Sequence, residues 1–305
     1  MHDAVIVGGG AAGLSAALIL GRCCRRVLVL DSGMPRNAKS QRMHGFVSRD
    51  GIAPLEFIAE ARLQLSVYPN VMLVDDTVTS IQKKENYFIV ATQSGRVEAA
   101  KRVLLATGIV DRIPDLPGFA ELFGKSVFHC PYCDGWEVRG TPLGVWGRGH
   151  AAAKLAMTLT LWTKDIVVFS NGDPELEASD RAKLEQLQIA VVQNEVQRLV
   201  SDGDRLDSVA FADGSRFQRA ALFLATGCSD SLHLARSLGC SLNDKGGIIT
   251  EGHACTSVDG LFAAGDALKE VQFVVIAAAQ GAEAALGINL SLLRESLSEH
   301  GVDYS

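Results

Sequence analysis

Ala4-Val5-Ile6-Val7-Gly8-Gly9-Gly10-Ala11-Ala12-Gly13 is the part of this chain from which its architecture is most directly read. The apolar start predicts a short buried strand, and Leu14 to Leu20, directly after it, has helical composition. In such a turn Gly8 makes the tight bend, Gly10 lets the backbone approach a phosphate, and Gly13 lets the helix pack on the strand. The order of strand, glycine turn and helix is typical of a domain that binds a dinucleotide.

A second apolar strand and an acidic residue complete this pattern. The strand from Arg26 to Leu30 leads to Asp31, about 20 residues after the glycines, where a carboxylate accepts hydrogen bonds from a ribose diol. A glycine-rich turn without a ligand is the alternative, but strand, helix and acid all stand in register. The polar segment from Arg36 to Phe46 is interpreted either as a cover for a bound cofactor or as a surface excursion.

The chain repeats this pattern further along. Leu143 to Trp146 leads into Gly147-Arg148-Gly149-His150-Ala151-Ala152, a second strand and glycine turn, and another strand is expected at Ile166 to Phe169. Buried strands that end in Ala-Thr-Gly also occur twice, at Ala106 to Gly108 and at Ala225 to Gly227. We therefore predict two nucleotide-type domains in tandem.

The first domain is expected to be discontinuous. Pro114, Pro117 and Gly118 break the first pattern, and Leu261 to Asp266 forms a late buried strand that needs a partner sheet. The simplest topology returns this strand to the first domain. The predicted fold is α/β, with two tandem Rossmann-like, three-layer nucleotide-binding domains, the second inserted in the first. The predicted boundaries are 1–115 plus 244–305 for the first domain and 116–243 for the second.

Composition and charge narrow the class of protein. The 305 residues are 48% apolar and carry a net charge of −6 without a basic block, so nucleic acid is a poor candidate partner. The first residues lack the basic and apolar regions of a signal peptide. Phe273 to Leu293 is apolar but contains Gln280, Glu283 and Asn289, which favours a buried helix over a membrane span. We expect a cytoplasmic protein without a membrane segment.

Cys130-Pro131-Tyr132-Cys133-Asp134 is the candidate reactive sequence. Two thiols with this spacing can close and reopen a small disulfide ring, and an adjacent carboxylic acid can move the proton that the cycle requires. Zinc binding needs four ligands, and no second CxxC is present, so no metal site is expected. A static structural disulfide is unexpected without secretory features, whereas a pair of inert thiols remains compatible with the spacing.

An ordered set of motifs carries a resemblance to a known family. The set comprises Gly8 to Gly13, Ala106-Thr107-Gly108, Cys130 to Gly135, Gly147 to Ala152, Ala225-Thr226-Gly227 and Ala264-Gly265-Asp266. Over essentially its full length the chain resembles the low-molecular-weight thioredoxin reductases. The resemblance implies FAD in the first domain, NADPH and the CxxC in the inserted domain, a homodimer, and a thioredoxin-like protein disulfide as partner.

The same resemblance implies roles for individual residues. Cys133 resembles the sulfur that faces the flavin, Cys130 the sulfur that attacks the partner disulfide, and Asp134 the acid that transfers the proton. The residues expected to bind the cofactor are Gly8, Gly10, Ala11, Ala12, Gly13, Asp31, Ser32, Asn37, His44, Val78, Thr107, Gly108, Gly265, Asp266, Gln272 and Phe273.

The chain departs from the family at the NADPH site. The family has a His-Arg-Arg cluster after the second nucleotide strand, whereas this chain has Phe169-Ser170-Asn171-Gly172-Asp173, without a cation. A phosphate dianion would lose charge-assisted hydrogen bonds there. We expect NADPH use to be weak or absent, with NADH or another donor as alternatives, and Trp146 and Arg148 to fill the nucleotide cleft. In some relatives a C-terminal aromatic residue stacks on the flavin, which makes Tyr304 a further candidate.

Three functions are compatible with these observations. The leading one is a flavin disulfide reductase of thioredoxin-reductase type with weak or absent NADPH use. The second is a flavin dithiol oxidase that forms disulfides in small molecules with oxygen as acceptor; Asp134 stands where such enzymes usually carry His. The third is a non-catalytic flavin-binding or redox-sensing module.

Overall fold

The computed structural model describes residues 1–229 and 232–304, and the chain divides into two compact units. Unit 1 contains Met1–Ala38, Gly45–Val110 and the part of the chain after Ser229. Unit 2 contains Lys39–His44 and Asp111–Ser229, so most of it is inserted within the sequence of unit 1. The predicted α/β class with two nucleotide-type domains is confirmed.

Unit 1 is built on a seven-stranded sheet. Its strands are β1 (His2–Val7), β2 (Val27–Asp31), β3 (Val71–Asp75), β4 (Val78–Lys83), β5 (Phe88–Thr92), β6 (Val97–Leu105) and β17 (Leu261–Ala263). The order is β3-β2-β1-β6-β5-β4, and β17 also pairs with β6. Strands β3, β2, β1, β6 and β17 are parallel, while β5 runs antiparallel to β4 and β6.

Helices and core residues cover both faces of the parallel strands. The helical segments of unit 1 are α1 (Ala11–Arg22), α2 (Pro54–Leu65), α7 (His233–Ser237), a 3-10 turn (Gly265–Leu268) and α8 (Val274–Glu299). Val5 and Val7 face a core that includes Leu234, whereas Ala4 and Ile6 face α1 and α8. Burial on both faces explains why these strands are continuous apolar runs.

Unit 2 repeats this plan with fewer strands. Its strands are β8 (Val127–Phe128), β9 (Leu143–Trp146), β10 (Ile166–Phe169), β11 (Ala190–Val192), β12 (Val196–Asp202), β13 (Arg205–Phe211), β14 (Arg216–Gln218) and β15 (Ala221–Leu224). A parallel sheet has the order β11-β10-β9-β15-β8, and β12, β13 and β14 form an antiparallel sheet. Two short strands, β7 (Val110–Asp111) and β16 (Cys228–Ser229), pair with each other. The helices are α3 (Phe119–Leu122), α4 (Pro131–Asp134), α5 (Gly149–Leu159) and α6 (Ala178–Gln186).

The boundaries of the units differ from the sequence-based ones. The insertion runs from Asp111 to Ser229 rather than from 116 to 243. The chain after Ser229 joins unit 1 early because Leu232, Leu234 and Ile248 are buried in its core.

The polar segment after Asp31 is divided between the two units. Lys39–His44 belongs to unit 2, where Lys39 Nζ donates to the carbonyl oxygen of Ala120 at 3.1 Å. Arg36, only three positions before Lys39 in the printed sequence, belongs to unit 1. The two interpretations of this segment, a cover for a cofactor or a surface excursion, stay predictions.

Helix α8 is long and apolar enough to cross a membrane by length and composition. A helix that packs inside a protein core meets the same test. In unit 1, α8 lies on α1 and buries Ala284, Ala285, Ile288 and Leu292. The contact is so close that a Cβ on Gly281 would stand 2.0 Å from the carbonyl oxygen of Ala12.

Gly281→Ala should destabilise unit 1. Alanine normally stabilises a helix interior relative to glycine, so destabilisation here would report the backbone contact with α1. Because both sides of the clash are backbone, we expect the melting temperature to fall by at least about 2 °C. Gly252→Ala is the control, since nothing lies within 4 Å of a Cβ there. Equal melting temperatures for the two variants would contradict the packing argument.

Candidate functional site

The glycine turn of unit 1 lies where parallel strands end. Strands β1, β2, β6 and β17 all finish at this edge of the sheet, which is where ligands bind in such folds. Gly8 has a φ of 110°, and a Cβ there would lie 2.2 Å from the carbonyl oxygen of Ala106. A Cβ on Gly13 would lie 1.9 Å from the carbonyl oxygen of Gly8. Only glycine fits at these two positions, as the sequence pattern predicts.

The turn leaves a cradle that suits a pyrophosphate. A Cβ on Gly10 would meet nothing within 4 Å, so the space in front of its backbone is open. Within residues 1–229 and 232–304, the N–H groups of Gly10 and Ala11 find no acceptor. Both N–H groups lie at the start of α1, where unpaired donors and the helix dipole favour an anion. These residues fit the FAD pyrophosphate that the resemblance implies.

Asp31 has a basic partner that sequence reasoning missed. Arg62 Nη2 donates to Asp31 Oδ2 at 3.0 Å and to Asp75 Oδ1 at 2.5 Å. Asp31 Oδ2 would also stand 2.5 Å from a Cβ on Gly9. The carboxylate is thus fixed beside the glycine turn, and Arg62 holds it through one oxygen. Its predicted role on a ribose stays a prediction.

Two predicted residues at the other end of the site are brought together by Arg36. Arg36 Nη1 donates to Asp266 Oδ2 and to Gln272 Oε1, each at 2.8 Å. The Arg36 and Asp266 side chains are only 14% and 19% exposed. Asp266 follows β17, and Gln272 lies just before α8. Arg36 thus links the end of β17 to the start of α8. No sequence signal pointed to Arg36 beyond its place in a polar segment.

The other predicted cofactor residues of unit 1 have varied surroundings. Val78 is buried in the core, Ser32 is exposed, and Asn37 is half-buried. Thr107 and Gly108 follow β6, and Phe273 directly precedes α8. Gly265 N donates to Gln280 Oε1 at 3.0 Å. Ala12 contributes to the apolar core behind the turn. Tyr304 is 44% exposed, and its stacking on a flavin stays a prediction.

Unit 2 carries the disulfide. Cys130 and Cys133 are bonded, and their Cα atoms are 5.3 Å apart. Cys130 directly precedes α4, Pro131 begins that helix, and Cys133 N donates to Cys130 Sγ at 3.1 Å. A hydrogen bond from this N–H would stabilise negative charge on Cys130 Sγ in the dithiol form. The remaining cysteines are free.

Asp134 lies in an environment that favours its protonated form. Burial first, and the neighbouring Glu137 carboxylate second, raise the pKa of Asp134 to about 7, against an opposing effect of His44. Glu137 Oε1 lies 3.5 Å from His44 Nε2. A group with such a pKa can both release and accept a proton near neutrality.

Glu137 and His44 connect this acid to the rest of unit 2. Glu137 was not singled out from the sequence, although it lies three positions after Asp134, in the turn that follows α4. His44 was expected to line the cofactor. The structure places His44 in unit 2, beside Glu137, and its contact with a cofactor stays a prediction.

Two exposed aromatic residues lie close to the disulfide cysteines in the sequence. Tyr132 and Trp136 are 63% and 64% exposed. The Arg139 guanidinium lies 3.8 Å from the centre of the Trp136 ring, and the Tyr132 ring meets Trp162 edge to face. Each exposed ring therefore packs against a neighbouring side chain of unit 2.

The second glycine turn, in unit 2, borders a cleft of about 400 Å³. Arg112, Trp146, Arg148 and Thr226 are among the residues that line it. Arg148 bonds to the loop after β10, and Gly149 N donates to the carbonyl oxygen of Pro174 at 2.8 Å. The N–H of Gly149, which corresponds to that of Gly10 in the first turn, thus already has an acceptor. The weak or absent use of NADPH stays a prediction.

Comparisons with known proteins agree with this architecture. Residues 2–281 match the family model of the pyridine nucleotide-disulphide oxidoreductases. Thioredoxin reductase aclD of Aspergillus oryzae is 32% identical over 303 residues, which cover 94% of this chain and 95% of that protein.

Two solved structures are similar over nearly the whole chain. The crystal structure of HlmI has a TM-score of 0.94 and 38% identity, covering 98% of this chain and 95% of the other. A putative thioredoxin reductase, TrxB, from Bacillus anthracis has a TM-score of 0.91 and 33% identity, covering 97% and 100%. Family membership implies a flavin and a pyridine nucleotide. The chain is an oxidoreductase of the pyridine nucleotide-disulphide family and belongs to its low-molecular-weight thioredoxin reductase branch.

Proposed function

We propose that this protein is an FAD-dependent disulfide reductase of thioredoxin-reductase type that makes weak use of NADPH, or none. Electrons would pass through the flavin and the Cys130–Cys133 disulfide to the disulfide of a thioredoxin-like protein. The observation that carries the proposal is the disulfide at the start of α4, with Asp134 at the end of the same helix. A homodimer and a cytoplasmic location are parts of the same proposal.

The residues of unit 1 supply binding and orientation. The open turn at Gly10 and the start of α1 would hold the FAD pyrophosphate, and Asp31 a ribose. Arg36 fixes Asp266, which would lie close to the ribityl chain. When bound, FAD supplies the two-electron transfer that no amino-acid side chain here provides.

The residues of unit 2 supply the thiol chemistry. In the reduced state, the Cys130 thiolate attacks one sulfur of the partner disulfide, and the bond between the partner's sulfurs breaks. The departing partner thiolate takes up a proton, which protonated Asp134 can donate. Cys133 then attacks Cys130 Sγ, which releases the partner as a dithiol and restores the Cys130–Cys133 disulfide. The N–H of Cys133 supports this division of roles because it stabilises charge on Cys130.

One observation favours a second candidate, a flavin dithiol oxidase. The bond from Gly149 N to the carbonyl oxygen of Pro174 uses a donor that a pyridine nucleotide would need. The oxidative direction needs no such nucleotide. A small-molecule dithiol would lose two electrons and two protons to become a disulfide, and oxygen would take up both to become hydrogen peroxide.

Anaerobic stopped-flow absorbance separates these functions. The FAD-loaded protein is mixed with NADPH, NADH or dithiothreitol, and bleaching of the flavin is recorded. We expect rapid bleaching by dithiothreitol and slow bleaching by either nucleotide. Rapid bleaching by NADPH would contradict the proposed weak use of that donor. Failure of all three reductants would favour a non-catalytic flavin module. In a separate aerobic assay with dithiol, formation of hydrogen peroxide would favour the oxidase.

Cys133→Ser should abolish electron exchange between dithiols and the flavin while FAD stays bound, because only one sulfur of the pair remains. The measurement is dithiol-dependent bleaching of the flavin, with the visible absorbance of bound FAD as the control for folding. Cys255→Ser, at an exposed free cysteine, is the matched variant and should behave as the parent protein. Unchanged bleaching in Cys133→Ser would remove this residue from the mechanism.

Glu137→Gln should lower the pKa of Asp134, because it removes the neighbouring negative charge that helps to raise it. His44→Asn should raise that pKa, because it removes the opposing effect. The pH dependence of thiol–disulfide exchange should therefore shift in opposite directions in the two variants, with Glu185→Gln on α6 as the matched control. Asp134→Asn should abolish the pH dependence that arises from titration of Asp134. Identical profiles for Glu137→Gln and His44→Asn would show that neither side chain acts on Asp134.

A further inference from the structure

The two glycine turns of this chain can be compared directly, since each connects a strand of a parallel sheet, β1 or β9, to the helix that follows it. Gly8 N donates to the carbonyl oxygen of Leu30 at 2.8 Å, and Gly147 N donates to that of Phe169 at 3.2 Å. Each bond ties the first glycine of the turn to the end of the neighbouring parallel strand. The two turns therefore begin in equivalent ways.

The turns differ at their third position, which is Gly10 in unit 1 and Gly149 in unit 2. Gly10 faces open space, and none of the described residues accepts a bond from its N–H. Gly149 N instead donates to the carbonyl oxygen of Pro174 at 2.8 Å, and a Cβ on Gly149 would lie 3.6 Å from the carbonyl oxygen of Glu175. In unit 2, the loop after β10 thus lies over the backbone that a pyrophosphate would approach.

Arg148 fastens this loop to the turn. Its Nε donates to the carbonyl oxygen of Ser170 at 2.8 Å, and its Nη2 donates to that of Asn171. Its Nη1 lies 3.2 Å from Glu175 Oε1. Ser170 and Asn171 directly follow β10, where the ribose of a dinucleotide is recognised in such folds. The guanidinium therefore occupies ribose space and ties both ends of the loop together.

The loop has anchors of its own on the far side. Gly172 N donates to the carbonyl oxygen of Gln193 at 2.8 Å, and Asn171 Oδ1 accepts from Val196 N at 2.7 Å. Ser170 Oγ donates to the carbonyl oxygen of Gly172 at 2.7 Å. Displacing Arg148 would leave these bonds in place, so its removal should open the ribose space without unfolding the loop.

We propose that Arg148 determines donor specificity by closing the nucleotide turn of unit 2 against pyridine nucleotides. Its guanidinium fills the ribose space and holds Glu175, a carboxylate, beside the place of the pyrophosphate. The ion pair with Glu175 also cancels the charge that could otherwise attract a phosphate. This inference rests on the proposed weak use of NADPH and supplies its structural cause.

The test measures binding rather than turnover. FAD-loaded protein in its oxidised form is titrated with NADP⁺ and with NAD⁺ by isothermal calorimetry, since neither probe can reduce the flavin. The variants are Arg148→Ser and Glu175→Gln, and Arg181→Ser, at an exposed arginine on α6, is the matched control. Melting temperature and bound flavin absorbance report folding.

The expected result is weak binding by the parent protein and by Arg181→Ser. Arg148→Ser should then bind both nucleotides at least about tenfold more tightly, and Glu175→Gln should gain in the same direction. Weak parent binding with no gain in Arg148→Ser would overturn the closure by Arg148 while leaving the proposed function intact. The opposite result would be tight binding of NADP⁺ by the parent protein and a loss of that binding in Arg148→Ser that exceeds its loss of NAD⁺ binding. It would overturn both the closure and the proposed function, because Arg148 would then be a phosphate ligand.

Discussion

Contact of backbone with backbone at three glycines holds unit 1 in the shape on which its site depends. Gly8 touches the carbonyl group of Ala106, Gly13 touches that of Gly8, and Gly281 touches that of Ala12. These contacts join the first strand, the sixth strand and the last helix, which are far apart in the chain. A side chain at any of the three positions would force these elements apart and spoil the cradle at Gly10.

The same supersecondary pattern has two outcomes in one chain. In unit 1 the first turn of the helix keeps its N–H groups available, whereas in unit 2 a neighbouring loop takes the corresponding donor. The difference arises at the end of the second parallel strand. In unit 1 the side chain at this strand end, Asp31, is paired with Arg62 of α2. In unit 2, Arg148 extends from the turn and bonds to the loop after β10. A glycine-rich turn therefore indicates that a phosphate site can form. Whether its N–H groups remain accessible depends on the loop after the second strand.

The sequence predicted the features that depend on local order. Strand, glycine turn and helix follow one another within a few positions, so both nucleotide-type units and the close contacts of Gly8 and Gly13 were predictable. Arg36 was not, because it meets Asp266 across 230 positions of sequence and polar segments contain many arginines. Glu137 and His44 were missed as a pair for the same reason. The end of the insertion was misplaced because Leu232 to Ile248 joins the core of unit 1 by packing, without any change in composition.

The split of unit 1 on either side of unit 2 also bears on how the protein is made. During synthesis, β17 and α8 leave the ribosome after unit 2, although β17 pairs with β6 and α8 packs on α1. Most of the sequence of unit 2 lies between β6 and β17, and all of it is complete before β17 and α8 are made. Unit 2 can therefore fold first, as domains do once their sequence has been synthesised. Helix α1, which follows the glycine turn, can therefore meet its partner only after α8 has been made and Gly281 can close against Ala12. Folding of unit 1 around its glycine turn is thus tied to synthesis of a helix that follows unit 2 in the sequence.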